Sequence, residues 1–415
     1  MQAVGVIVEY NPFHNGHKWH INEAKKISGC PFVIGVMSGN FVQRGEPAIF
    51  DKWKRAEMAI RGGVDLIIEL PTVFAVRSAQ YFATGGIRLL NALGVVSHIC
   101  FGAENADLDI LKTIAAATDD INIISEMQLN LKSGKNYAAA LGQSLEKFHS
   151  ISPELIASSN NILAVEYLRA IEKFAPTQIP IAVTRQDSKY NDTTITTKFA
   201  SATAIRETLV NDMTITEELK LALPITTLDM IHNILEEKCG PVTLSTLSNI
   251  ILAQLRIMNL RKLEQLPNVS EGLHYKIRDC SLLAANVQQL LSLLKSKRYT
   301  YTRLQRILIH ALLGTTKTEI ANFDNQGPLY ARILAFNQNG RNLLKQMAQH
   351  STIPTITKTT HYLSSKQRDE ECLTPLQQML SVDTLSSDIY SLGIPPSRWN
   401  AGALDFRYPP LYIPQ

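Results

Sequence analysis

At 415 residues the chain exceeds what one ordinary hydrophobic core supports, which favours two domains, or one large domain with a helical appendage. Hydrophobic residues make up 45% and charged residues 19%, an ordinary globular balance, and no apolar run approaches the roughly 18 residues of a membrane span. The net charge of +4 is too small for whole-surface attraction to nucleic acid but leaves room for a local basic patch. Five scattered cysteines without a CxxC pair argue against a disulfide framework or a zinc knuckle and read as buried thiols.

The N-terminus, MQAVGVIVEYNPF, reads as a buried strand that begins at once and not as a secretory leader, so a cytoplasmic location is expected. Short apolar runs then alternate with amphipathic stretches: AVGVIVEY, a helix from about His17, PFVIGVM, a helix near Trp53 to Arg61, VDLIIEL and HICFGAE. Such alternation predicts a parallel sheet flanked by helices. IPIAVTRQD at 179–187 adds a later strand, and SATAIRETLV opens a helix near Ser201. Beyond about residue 213 the pattern turns to Leu- and Ile-rich helices with little strand signal. The expected organisation is therefore an α/β, Rossmann-like parallel-sheet domain over 1–210 and a mainly α-helical domain over 211–415.

In VIVEYNPFHNGHKWHI, a strand ends in a Pro turn, and His14 and His17 follow across Asn15 and Gly16 where a helix begins. Unpaired N–H groups and the helix dipole attract anions there. Gly16 allows close approach of a nucleotide, and two imidazoles can donate hydrogen bonds to charge developing on an α-phosphate as pyrophosphate leaves. The alternatives are core or capping histidines, or a metal pair. His20, one turn on, reads as packing.

NPFHNGH resembles the HIGH motif of pantetheine-phosphate and nicotinate-mononucleotide adenylyltransferases and of class I aminoacyl-tRNA synthetases. The longer texture, through MSGNFVQRGEPA, KWKRAEMAIRGGVDLIIELP, FGAEN and ASSNNILAVEY, resembles the bacterial tRNA(Met) cytidine acetate ligases along nearly the whole chain. By that resemblance the nucleotide site comprises Ile7, Val8, Glu9, Tyr10, Asn11, Pro12, Phe13, His14, Asn15, Gly16, His17, Lys18, Trp19 and His20. Gly102, an asparagine at 160 or 161 (Asn160 is the first choice) and Arg185 complete it.

Ser201, Thr203 and Arg206 in FASATAIRE place hydroxyls at a helix start and a guanidinium one turn inside. They resemble the superfamily's second signature, which holds the β- and γ-phosphates; the alternative is an ordinary N-cap with a surface arginine. Gly102 ends a strand, where a missing side chain lets adenine or ribose lie on the sheet edge, although a turn glycine reads the same way. The polar loop SGNFVQRGEPAIFDKW, with Ser38, Gln43, Arg44, Asp51 and Lys52, follows the second strand, and Arg44 suits a small carboxylate.

KSKRYTYTRLQR carries Lys295, Lys297, Arg298, Arg303 and Arg306 with no acid, and Tyr299 and Tyr301 among them. Such cations neutralise phosphates and tyrosines stack on unpaired bases; a solvated helix face is the bland alternative. His274, Lys276, Arg278 and Lys317 extend the candidate patch.

The resemblance implies an ATP-dependent ligase that turns acetate into acetyl-adenylate, with Mg2+ screening the triphosphate, and then acetylates N4 of the wobble cytidine of elongator tRNA(Met). The residues by themselves reach adenylylation and RNA binding. No membrane or protein partner is indicated. The competing functions are a small-molecule adenylyltransferase of cofactor biosynthesis and a non-catalytic RNA-binding protein.

Overall fold

The apolar runs of the first half are buried on both faces, and strands of that kind belong in a parallel sheet covered by helices. The computed structural model describes residues 2–135, 137–149, 151–156, 158–185, 195, 197–370, 372–395 and 400–414. The end of the IPIAVTRQD run and part of the GIPPSRW connection lie outside the described residues. Strands β1 (Ala3–Val8), β2 (Phe32–Ser38), β3 (Leu66–Leu70), β4 (Val96–Ala103) and β5 (Ile179–Thr184) form where those runs predict them. They pair in parallel in the order β5-β4-β1-β2-β3. Side chains alternate between two cores: Val4, Val6, Val33, Met37 and Ile67 enter one, Ala3, Ile34, Val36, Ile68 and Ile99 the other.

The chain runs from β1 outward to β2 and β3, then crosses back to place β4 and β5 on the other side of β1. The order reverses between β1 and β4, and in an open α/β sheet the crevice at the carboxyl ends of such strands receives the ligand. Helices Ala79–Ala92 and Ser159–Phe174 pack together on one face. Gly86 lets the first of them approach β1, since a Cβ there would lie 2.6 Å from Ile7 Cδ1.

Beyond residue 210 helices dominate, but the chain returns to the sheet. Strand β6 (Ala331–Phe336) pairs antiparallel with β3, and β7 (Thr355–Ile356) and β8 (Leu411–Tyr412) pair with opposite ends of β6. The division expected at 210 is thus not an edge of the sheet. The six residues ARILAF do not stand out among helical Leu and Ile, yet they cover the edge that β3 would otherwise expose.

A buried set of charges ties this returning segment to the first half. Lys52 Nζ lies 2.8 Å from Glu69 Oε1 on β3 and 2.7 Å from Asp405 Oδ1. Arg332 on β6 lies 3.1 Å from Glu69 Oε2 and also pairs with Asp405. Arg332 Nη1 is in ion-pair range without an aligned hydrogen bond. Burial alone would raise the Asp405 carboxyl, but Arg332 and Lys52 hold it below its ordinary range. Among the described residues no helix is long and apolar enough to cross a membrane.

Removing one cation from such a set leaves a desolvated carboxylate uncompensated. Arg332→Met should lower the unfolding free energy by about 3–5 kcal/mol, read as a drop in denaturant midpoint at unchanged slope. A variant as stable as the parent would mean that the four charges contribute nothing net.

Candidate active site

The turn after β1 sets the geometry of the crevice. Tyr10 takes a left-handed backbone conformation, φ 45°, and the chain reverses into the helix Asn15–Ser28. The turn is held from outside: Ile49 N–H donates to Asn11 Oδ1 (2.7 Å), and Arg206 Nη1 donates to the Asn11 carbonyl (2.9 Å). Beneath it, the fully buried Arg55 guanidinium donates to the carbonyls of Glu9, Ser38, Gly39 and Phe50. The ends of β1 and β2 are therefore fixed by one side chain.

His14 and His17 form a reciprocal cap on this helix. Gly16 N–H donates to His14 Nδ1 (3.1 Å), and His14 N–H donates to His17 Nδ1 (3.3 Å), with the rings stacked at 3.6 Å. Each Nδ1 is thus an acceptor, so a neutral ring carries its proton on Nε2 and has a donor to offer. Burial, then Arg185 and Arg206, push His14 down to about 3. Burial and the neighbouring His14, Arg185 and His20 also push His17 well down. Both are neutral near pH 7. Of the alternatives that the sequence left open, capping is what the structure shows, and it uses one nitrogen of each ring, Nδ1.

One cavity at the carboxyl ends of β1, β4 and β5 is lined by Ile7, Val8, Glu9, Tyr10, Asn11, His14, Gly16, His17, Trp19 and His20, and by Gly102, Asn160, Arg185, Ser201 and Arg206. Of the expected N-terminal stretch, Pro12, Phe13, Asn15 and Lys18 do not line it. Phe13 is core, and Asn15 donates its side-chain amide to the Leu221 carbonyl. Arg185 lies across Gly102, where an added Cβ would meet its Cγ at 3.4 Å. Ser201 caps the helix Ala202–Asp212 through Ala204 N–H (3.0 Å), and Thr203 Oγ1 accepts from Arg206 Nη2 (3.3 Å).

The two asparagines separate by environment. Asn161 is 2% exposed, and its side chain joins Glu104 N–H, Asn105 N–H and the Leu155 carbonyl. Asn160 faces the cavity and donates to Glu104 Oε1 at 2.7 Å. Sequence reasoning missed Phe82, Phe101, Leu163 and Tyr167, which form an apolar wall. Their periodic spacing marks them as buried but cannot distinguish a core from a cavity lining.

The loop after β2 splits. Gln43, Arg44 and Glu46 line the cavity, whereas Ser38 and Lys52 are buried below it and Asp51 caps a helix through Lys54 N–H. Gln43 N–H donates to Glu9 Oε1 (2.8 Å). From the other side Arg306 Nη1 donates to the Gln43 carbonyl (3.2 Å), and Gln305 donates to Glu46 Oε1 (2.8 Å). Gly45, at φ +81°, would place a Cβ 2.2 Å from Arg306 N, so helix Tyr301–Leu313 docks directly on this loop.

That docking divides the basic run. Burial, then Arg303, Arg77 and Arg44, push Arg306 down to about 10. Arg303 donates to the Asn268 carbonyl and Ser270 Oγ and covers the buried Tyr299 ring. Lys297, Arg298 and Tyr301 are exposed, Arg298 pairing with Glu271. Lys276, Arg278 and Lys317 bind backbone carbonyls at helix ends. Among the described residues no group of three or more His, Cys, Asp or Glu could hold a metal ion.

Residues 1–402 match the family model of HIGH nucleotidyl transferases. The chain is 40% identical to a tRNA(Met) cytidine acetate ligase of Thermoanaerobacter, over 99% of each chain. It is 39% identical to one of Acetivibrio thermocellus, over 94% of each. Its fold matches the apo crystal structure of Thermotoga maritima TmcAL with a TM-score of 0.92 at 31% identity, and the form bound with alpha-thio ATP with 0.90, both covering 100% of each chain. With the paired histidines at the switch of its sheet and likeness along its full length, the chain belongs to the tRNA(Met) cytidine acetate ligases, within the HIGH nucleotidyl transferase family.

Proposed function

We propose that this protein activates acetate with ATP to acetyl-adenylate and pyrophosphate, then transfers the acetyl group to N4 of the wobble cytidine of elongator tRNA(Met). The reciprocal His14–His17 cap carries this reading. It gives two neutral imidazoles with Nε2–H donors beside Arg185 and Arg206 in one cavity, a donor set suited to negative charge developing on an α-phosphate. A mixed anhydride is required because free acetate is a poor acyl donor, whereas AMP is a good leaving group. Arg206, with Ser201 and Thr203, holds the departing pyrophosphate. Mg2+ bound to the triphosphate would supply charge screening there. Arg44 on the cavity loop receives acetate. The tRNA lies along the exposed Lys297, Arg298 and Tyr301, and the cytoplasm is where the two substrates meet.

Mass analysis of tRNA incubated with the protein, ATP and labelled acetate tests the reading directly. Label should appear in one cytidine and require ATP, and acetyl-coenzyme A should not substitute. Full acetylation from acetyl-coenzyme A without ATP would sink it.

His14→Asn separates the two duties of that residue, because Asn is a good N-cap but lacks a placed Nε2–H. The variant should melt near the parent temperature while acetate-dependent ATP–pyrophosphate exchange falls roughly a hundredfold or more. Normal exchange would remove the imidazole from the chemistry.

Replacing Lys297 and Arg298 together by Ala should weaken tRNA binding and reduce its log–log salt slope by at most about two units, leaving pyrophosphate exchange intact. Arg306→Ala should instead damage exchange, since it releases the Gln43 carbonyl. A paired measurement of exchange and of tRNA affinity across a salt series on both variants decides; the opposite pattern would reverse these assignments.

A further inference from the structure

Acetyl transfer, as read above, leaves one proton without an acceptor. When cytidine N4 attacks the acetyl carbonyl, a C–N bond forms, the C–O bond to AMP breaks, and the nitrogen must shed a proton. That amine is weakly nucleophilic because its lone pair is delocalised into the ring, so a placed base has a large effect.

The cavity offers few candidates. His14 and His17 have their Nδ1 atoms occupied by backbone N–H groups, and His20 Nε2 lies 3.4 Å from the Cys100 thiol. Burial pushes the phenols of Tyr10 and Tyr167 up, so they stay protonated. Arginines have no acceptor to offer. Glu46 faces the Gln305 amide. Among the described residues that line the cavity, the remaining basic group is Glu9, at the carboxyl end of β1 one residue before the Tyr10 turn.

Glu9 is built to be aimed. Its main-chain carbonyl accepts from the buried Arg55 guanidinium, and its Oε1 accepts from Gln43 N–H at 2.8 Å. Among the described residues this N–H is the hydrogen-bond donor that its carboxylate meets, and the residue lines the cavity. A carboxylate oxygen is also the natural acceptor for the N4 amine of cytosine. We propose that Glu9 is the catalytic base of the transfer step, its Oε2 accepting a hydrogen bond from cytidine N4 and taking the proton that this nitrogen loses on acetylation. AMP then leaves with the electron pair of the broken C–O bond, and Glu9 returns its proton to water.

The surroundings suit the role. Burial raises the Glu9 carboxyl, while Gln43 N–H, Arg206, Arg44 and Arg55 pull it back only in part. The result is a stronger base than an exposed glutamate, still ionised by its cationic neighbours when pH is high enough. Transfer should therefore slow as pH falls through the titration of this carboxyl.

The proposal rests on the acetate-ligase reading, and Glu9→Gln tests it, because a glutamine oxygen still accepts from Gln43 N–H but cannot take a proton. Two rates are compared in parent and variant: acetate-dependent ATP–pyrophosphate exchange, and single-turnover acetylation of tRNA across a pH series. Transfer should fall about a hundredfold more than exchange does, and the acid limb of the parent's transfer profile should be absent in the variant. Glu9→Asp, which keeps a carboxylate, should recover part of the transfer and the acid limb. Equal losses in both rates, an acid limb that persists in Glu9→Gln, or an aspartate variant no better than the glutamine one would overturn the assignment. A parent protein that fails to acetylate tRNA with ATP and acetate would instead bring down the reading beneath it.

Discussion

Arg55 holds a full positive charge where water cannot reach it, and much of the candidate site depends on what that charge binds. Its partners are carbonyl oxygens at the carboxyl ends of β1 and β2 and in the loop beyond. Strand ends normally turn such groups toward solvent. Here they are satisfied from below, so the upper surface of the turn is free to face a ligand. Lys52, one turn earlier on the same helix, does the equivalent for Glu69 and Asp405. One short helix thus supplies the cations that fix both the cavity floor and the junction with the returning strand.

Above this floor the electrostatics are set by arginines and not by histidines. Burial keeps His14 and His17 neutral, so the positive charge of the described lining comes from Arg44, Arg185 and Arg206. Neutral imidazoles can give their Nε2 protons to an oxyanion in a hydrogen bond without adding further charge repulsion to an already cationic site. In the function proposed above, these guanidinium groups are what attracts the triphosphate.

The sequence made the first five strands legible because each is a short, nearly continuous apolar run between turn residues, and the HxxH pattern is tied to the end of the first. It did not reveal β6, since a six-residue apolar run has no periodicity to distinguish it from a buried helical turn. It also grouped Arg303 and Arg306 with the exposed cations beside them. Charge is local information, but whether a guanidinium meets solvent depends on Asn268 and Gln43, residues far away along the chain. The choice between Asn160 and Asn161 had the same character: adjacent, identical side chains are separated by helix geometry, which turns one into the Glu104–Leu155 region and the other toward the cavity.

The antiparallel insertion of β6 has a consequence for the order in which the molecule can be assembled during synthesis. A nascent chain that has delivered β1 to β5 still has β3 as a bare edge and Glu69 with Lys52 but without Arg332. The sheet is closed only when Ala331–Phe336 leaves the ribosome, and the charge set is completed later still, with Asp405. For most of its translation the parallel part of the sheet is therefore incompletely bordered, the kind of species that pairs with other strands. The helices made in the interval give the first five strands no border at β3, so their maturation is linked to the emergence of the last part of the chain.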